Sequence, residues 1–217
     1  MKSSDTTIST SVIRRLPRYY RFLNSLEEQN ILRISSKELA AMTGLTASQI
    51  RQDLNCFGDF GHQGYGYNVP ELKNSIGDIL GIGSLHPSIL IGAGNLGRAI
   101  ANKMSFGKEG FRLIGIFDSD PVYTGMEIRG VSILSDDKLE EFCRRNSPEM
   151  AVLCVPDDAA AGIVKKLVEL GIRNFWNFSH FDIKREYPDV FTENVHLNDS
   201  LMYLSYNIKN KKSESDD

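Results

Sequence analysis

Cysteine is scarce: the 217 residues hold three, Cys56, Cys143 and Cys154. They are odd in number and far apart, with no C-x-x-C or Cys/His pairing, and so indicate neither a disulfide framework nor a zinc site. Long apolar runs are missing too. The longest, residues 88–93 and 150–155, fall far short of the roughly 20 residues that a spanning helix needs, so no membrane insertion is expected. Residues 1–7 have no apolar stretch behind their single Lys and do not form a secretory signal; the expected location is the cytoplasm. Nor does one sign of charge dominate. Lys and Arg number 25 against 28 Asp and Glu, a net charge of −3, and no strongly basic balance advertises nucleic acid. What remains, 41% apolar and 24% charged residues, is the composition of an ordinary globular chain with room for one large domain or two small ones.

The charge is nevertheless uneven. Residues 1–67 carry 8 Lys and Arg against 6 Asp and Glu, while residues 68–217 carry 17 against 22. Arg14, Arg15, Arg18 and Arg21 fall within eight residues, and no acid occurs from position 6 to 26. This is a local cationic face, suited to a polyanion or simply to solvent.

The first segment places Val12, Leu16, Tyr19, Leu23 and Leu26 on one helical stripe, interrupted by Pro17, so either a kink or a regular helix from about Leu16 is expected. Capping boxes open two further helices, at Ser35-Ser36-Lys37-Glu38 and at Thr46-Ala47-Ser48-Gln49, with Gly44 in the turn between them. Residues 56–67 alternate glycines with aromatics and read as a β-hairpin; Pro70 then starts a helix through Leu80. Beyond a boundary at residues 81–84 the pattern becomes α/β. Strand candidates at 89–91, 113–117, 131–134, 151–155 and 174–176 alternate with helices, which implies a parallel sheet. The expected domains are 1–84, a winged helix; 85–196, a Rossmann-type unit; a dimerisation helix within 197–210; and a disordered polar tail, 211–217.

One strand runs into Gly92-Ala93-Gly94-Asn95-Leu96-Gly97 and then a helix. In that context G-x-G-x-x-G has physical content. Gly92 permits a tight turn, Gly94 lets the backbone approach a pyrophosphate, and Gly97 lets the helix lie close on the strand. The next strand ends in Asp118, 21 residues beyond Gly97, where a carboxylate would accept from ribose hydroxyls and repel a 2′-phosphate. NAD(H) is therefore the expected cofactor, with Val155 and Pro156 at another strand end beside it. His180 follows a strand end and reads as a hydrogen-bonded loop histidine rather than a catalytic acid, and little chain is left to build a substrate pocket.

In the N-terminal part Ala40, Gly44 and Ile50 have helix-turn-helix spacing. The second helix buries Ala47, Ile50 and Leu54 and leaves Ser48, Gln49, Arg51, Gln52 and Asn55 for a major groove. The hairpin would serve as the wing, with His62 and Tyr65 as contacts, and Arg14, Arg15 and Arg18 would meet phosphates.

A winged helix joined to a compact NAD-type domain with these motifs resembles the Rex family of redox-sensing transcriptional repressors. The resemblance covers nearly the whole chain. It is carried by residues 13–21, 35–39, 49–58 and 64–67, by the glycine loop and by Phe117-Asp118. It implies a homodimer that grips an A/T-rich inverted repeat of double-stranded DNA and lets go when NADH displaces NAD+, a sensor rather than an enzyme. It also implies exchange of the C-terminal helix between subunits, so that residues 197–208 pack against the partner's N-terminal domain, and a redox-coupled role for Arg21. Three positions depart from the family at the nicotinamide end: Lys103 stands where a tyrosine is usual, Ser179-His180 replaces Ala-Pro, and Ala161 replaces a glutamine. The adenosine half is thus expected to bind normally and the redox response to be altered. Two competing readings are a small NAD-dependent oxidoreductase whose N-terminal helices serve oligomerisation and a nucleotide-binding interaction module without DNA.

Overall fold

In the computed structural model residues 8–58, 60–62 and 65–215 are described, side chains excepted at 61–62 and 211–215. A short helix, α1 (Thr10–Ile13), leads into α2 (Leu16–Glu28). Pro17 lies in the first turn of α2, where its missing N–H would have had no helical partner, so the chain starts a regular helix instead of kinking one. Leu16, Tyr19, Leu23 and Leu26 form its buried stripe. Next come α3 (Ser36–Thr43) and α4 (Ala47–Asn55), joined through Gly44 at φ 65°. The box at α3 is complete: Ser35 Oγ accepts from the Glu38 N–H at 3.1 Å and Glu38 Oε2 accepts from the Ser35 N–H at 2.8 Å. The one expected at α4 is half made. Thr46 Oγ1 accepts from the Gln49 N–H, but the Gln49 side chain turns away to a charged acceptor, Asp53.

The wing is a three-stranded antiparallel sheet, β1 (Arg33–Ile34), β2 (Gly61–His62) and β3 (Gly66–Asn68), in the order β1-β3-β2. The sequence shows the hairpin but not β1, because two residues carry no readable alternation. Gly66, at φ 69°, lies so near β1 that a Cβ would come within 2.7 Å of the Ile34 carbonyl oxygen. Helix α5 (Val69–Leu80) is capped by Asn68 and ends at Gly81. Contacts divide the chain into Met1–Ser84 and Leu85–Asp217.

The second unit runs β4 (His86–Ile91), α6 (Asn95–Lys103), β5 (Phe111–Asp118), β6 (Glu127–Ile128), β7 (Val131–Ser135), α7 (Leu139–Asn146), β8 (Met150–Leu153), α8 (Asp157–Glu169), β9 (Asn174–Asn177), α9 (Ile183–Glu186), β10 (Phe191–Asn194) and α10 (Leu197–Ser215). Its strands lie in the order β10-β9-β8-β4-β5-β7-β6, all parallel except β6. Strand β4 pairs with β5 on one side and β8 on the other, so the order reverses there and leaves a crevice at the strands' carboxyl ends. Ile89, Ile91, Leu153 and Phe175 pack on one face with residues of α7 and α8, and Leu90, Ile116 and Val152 pack on the other with Ile100 of α6.

Three expectations need correction. Strand β8 ends at Leu153, so Val155 and Pro156 lie in the loop before α8. Strands β6 and β10 are additional; Phe191–Asn194 is mostly exposed, and an edge strand of that kind lacks the apolar run of the central ones. The polar tail is helical as far as Ser215, since Lys and Glu are good helix formers and extending an existing helix costs little. No helix of the described residues is long and apolar enough to cross a membrane.

Candidate functional site

At the carboxyl end of β4 the chain turns through Gly92, at φ 95°, and enters α6 at Gly94. Each glycine has its own reason. A Cβ on Gly92 would lie 2.4 Å from the Cys154 carbonyl oxygen, and one on Gly97 would lie 1.8 Å from that of Gly92. A Cβ on Gly94 would meet nothing within 4 Å, so this is the side from which a ligand can approach the backbone. The first N–H groups of α6, at Asn95, Leu96 and Gly97, have no partner within the helix and offer donors to an anion. Asp118, at the end of β5, accepts the Ala93 N–H on Oδ2 and, at 2.8 Å, the Asp120 N–H on Oδ1. Its carboxylate is thereby fixed against the glycine turn with lone pairs to spare for hydroxyl groups. This cradle fits the diphosphate and ribose of a dinucleotide. An apolar hollow of about 570 Å³, lined by Phe111, Met150, Trp176 and Phe191 among others, lies at the opposite, amino ends of the strands.

Val155 and Pro156 follow β8, and His180 follows β9, at the crevice end of the sheet. The His180 N–H donates to Asp157 Oδ1 at 2.7 Å and its ring Nδ1 lies 3.1 Å from Asp157 Oδ2. These bonds, the backbone one foremost, hold the Asp157 carboxyl below the usual carboxylate range. The His180 ring stacks on His196, with centroids 5.3 Å apart. Ser179 is buried and donates its hydroxyl to Asn177 Oδ1 at 2.7 Å. Lys103 is exposed in the last turn of α6, and Ala161 is exposed on α8. Among the described residues no His, Cys, Asp and Glu cluster is arranged to hold a metal ion.

In the N-terminal unit Ser48, Arg51, Gln52 and Asn55 are exposed on α4. The Arg51 guanidinium donates from Nη1 to Ser36 Oγ at 2.9 Å. Arg14, Arg18 and Arg21 are exposed; Arg21 lies 5.6 Å over the Phe22 ring, and Arg18 Nη2 would be 3.8 Å from a Cβ on Gly44. Tyr65 is exposed in the turn of the wing, whereas the His62 side chain lies outside the described residues. Two candidates are tied within the unit to one buried carboxylate. Arg15 places Nε 2.6 Å and Nη2 2.8 Å from the two oxygens of Asp53, and Gln49 Nε2 donates to Asp53 Oδ1 at 2.8 Å.

Residues 7–55 match the family model described as putative DNA-binding protein N-terminus, and residues 85–181 match that described as CoA binding domain. The redox-sensing transcriptional repressor Rex of Caldanaerobacter subterraneus subsp. tengcongensis is 52% identical over 97% of this chain and 93% of its own. That of Clostridium perfringens is 52% identical over 92% and 93%. The chain belongs to the Rex family. Among solved structures, the Rex-family repressor RSP in complex with β-NADH superposes with a TM-score of 0.87 at 47% identity, covering 98% of this chain and 99% of RSP. RSP in complex with β-NAD+ and operator DNA gives 0.87 at 49% identity, covering 98% and 97%.

Within this Rex chain the residue that sequence reasoning missed is Asp53. It is 1% exposed and, besides Arg15 and Gln49, accepts the Tyr19 hydroxyl at 2.6 Å. Its signal was available: an acid three residues after Ile50, next to Leu54 on the buried side of α4, facing a segment with no acid of its own. Asp157 and His196, partners of His180, were also passed over, because they come close only when β8, β9 and β10 lie side by side.

Proposed function

We infer that this chain is a DNA-binding transcriptional repressor that senses the NADH/NAD+ ratio and releases an inverted-repeat operator when NADH binds. The observation that carries the reading is the likeness over 98% of the chain to a repressor solved with NADH and with NAD+ plus operator DNA. The glycine cradle and Asp118 support NAD(H) as cofactor, with the loop 92–97 on the pyrophosphate, Asp118 on the ribose, and Val155 and Pro156 toward the nicotinamide. Exposed Ser48, Arg51, Gln52 and Asn55 support α4 as the reading helix, with Arg14, Arg18 and the wing on phosphates. Leu197, Leu201, Leu204 and Ile208 of α10 are 52–63% exposed along one helical stripe, which supports a homodimer in which this face is covered. Cysteine chemistry is a weaker basis for redox sensing: burial pushes the Cys143 thiol up to about 11 and the Cys154 thiol up to about 12, so neither offers a thiolate at neutral pH. The oxidoreductase reading is not favoured, since the relatives are named repressors. A repressor of this kind works in the cytoplasm, beside the DNA it controls.

The test is a mobility-shift titration on an inverted-repeat operator with NAD+ and NADH added separately. Binding with NAD+ and release with NADH are expected. Release is expected to be partial, because His180 and Ser179 are held by Asp157 and Asn177, which leaves fewer contacts that differ between the two rings. Complete release at low micromolar NADH would show that sensing is unaltered. Arg51→Ala should weaken operator binding by about 1–3 kcal/mol without changing the dimer's mass; full affinity in a folded dimer would exclude α4 as the reading helix.

Asp118→Ala should weaken NAD+ and NADH alike, since the ribose is common to both, and should relax the exclusion of NADP(H). Calorimetry that found unchanged affinity for all of these would remove Asp118 from the site.

A further inference from the structure

Gln49, at the third position of α4, makes two bonds at once. Its backbone N–H goes to Thr46 Oγ1 at 3.1 Å, and its side-chain Nε2 donates to Asp53 Oδ1 at 2.8 Å, one turn further along. Asp53 has no freedom to follow it. The residue is 1% exposed, and its oxygens also accept Arg15 Nε at 2.6 Å, Arg15 Nη2 at 2.8 Å and the Tyr19 hydroxyl at 2.6 Å. An ionised carboxylate only accepts. Turning the Gln49 amide over would therefore set its oxygen against Asp53 Oδ1, acceptor against acceptor. The amide is held one way round, with one Nε2 hydrogen on Asp53, and Oε1 and the second Nε2 hydrogen make no hydrogen bond among the described residues.

We propose that Asp53 is the positioning residue for Gln49, and that Gln49 so oriented is a base reader that presents an acceptor and selects an amino-bearing base at one position of each operator half-site. This rests on α4 being the helix that enters the major groove. In that groove adenine N6 and cytosine N4 offer hydrogens, whereas guanine O6 and thymine O4 offer lone pairs. A glutamine free to turn over serves either kind of base. One pinned by a buried carboxylate keeps its oxygen and its remaining hydrogen in a fixed order, and with the oxygen toward the amino group it prefers adenine or cytosine on the contacted strand, where guanine O6 or thymine O4 would meet that oxygen lone pair to lone pair. Arg51, two residues on, is a pure donor, so α4 presents both signs of hydrogen bond to the bases.

The experiment measures the affinity of the full chain for a set of operators in which every half-site position carries each of the four bases, in wild type, Gln49→Leu and Asp53→Asn. Wild type is expected to favour adenine or cytosine over guanine or thymine at one position by about tenfold. Gln49→Leu should flatten that position and leave the preferences elsewhere unchanged. Asp53→Asn, whose amide can face Gln49 in either orientation, should flatten the same position. A purely structural role for Asp53 would instead weaken all operators alike. The proposal falls if folded Asp53→Asn keeps the wild-type base preference, or if Gln49→Leu has the wild-type profile. Should Asp53→Asn not fold, Gln49→Leu still decides, because a wild-type preference for guanine or thymine at the flattened position would mean that the amide faces the base with a hydrogen where this inference places its oxygen. Arg51→Ala separates the two readings. Weakened binding in Arg51→Ala with no effect of Gln49→Leu overturns this inference alone, and no effect of either overturns the placement of α4 as well.

Discussion

Replacing Gly97 by alanine is expected to destabilise the C-terminal unit by about 3 kcal/mol or more and to abolish binding of both NAD+ and NADH. The methyl carbon would stand 1.8 Å from the Gly92 carbonyl oxygen and 3.2 Å from Leu90 Cδ2. The nearest atom is backbone and cannot rotate aside, so α6 must lift off β4, and its free N–H groups move with it. Gly94→Ala provides the contrast. That methyl meets nothing within 4 Å and the Gly94 φ of −65° suits alanine, so the fold should hold while the space open to a pyrophosphate is filled. Thermal unfolding and calorimetry on the two variants check this. Gly94→Ala protein that bound both dinucleotides normally would show that the phosphates lie elsewhere, and a Gly97→Ala protein as stable as wild type would mean that the helix tolerates the shift.

The second large effect is expected at Asp53. Asp53→Ala takes the acceptor from Arg15, Tyr19 and Gln49 together, and Tyr19 is fully buried. Arg15 retains 27% exposure and can partly return to water, so the expected loss is about 3 kcal/mol, toward the lower end for breaking a buried pair. Burial, the largest influence on the Asp53 carboxyl, pushes its pKa up. The hydrogen bonds from Arg15, Tyr19 and Gln49 together outweigh it and leave the net value below the ordinary one. A carboxyl so depressed contributes stability that is present above its unfolded value and lost as pH falls through its folded one. In wild type the N-terminal helices should therefore loosen as pH drops below about 4, and Asp53→Ala should lack that component. Denaturant unfolding followed by circular dichroism, repeated across that range, measures both effects; an equal acid response in the two proteins would take Asp53 out of the account.

Much of the molecule is legible along the chain. The box at Ser35, the Thr46 cap, Pro17 in a first turn, and the glycines of the 92–97 loop act within four or five residues of themselves, and short-range geometry is what a sequence displays directly. The strands that were missed are two-residue elements, β1 and β6, or an exposed edge, β10; each is defined by its neighbour across the sheet and not by its own pattern.

By itself, then, the sequence determined a helix-turn-helix with a wing, a parallel α/β unit with a dinucleotide loop, and the order in which they come. Tertiary structure alone decided which polar side chains are spent inside the protein and which remain for a ligand. Arg15 lies 38 positions from Asp53, Ala93 25 from Asp118, and His180 23 from Asp157. At such separations a charge that looks free in the sequence is claimed or left by whatever packing brings beside it. Burial then makes the claim binding, since a polar group withdrawn from water needs a partner and keeps the one it has.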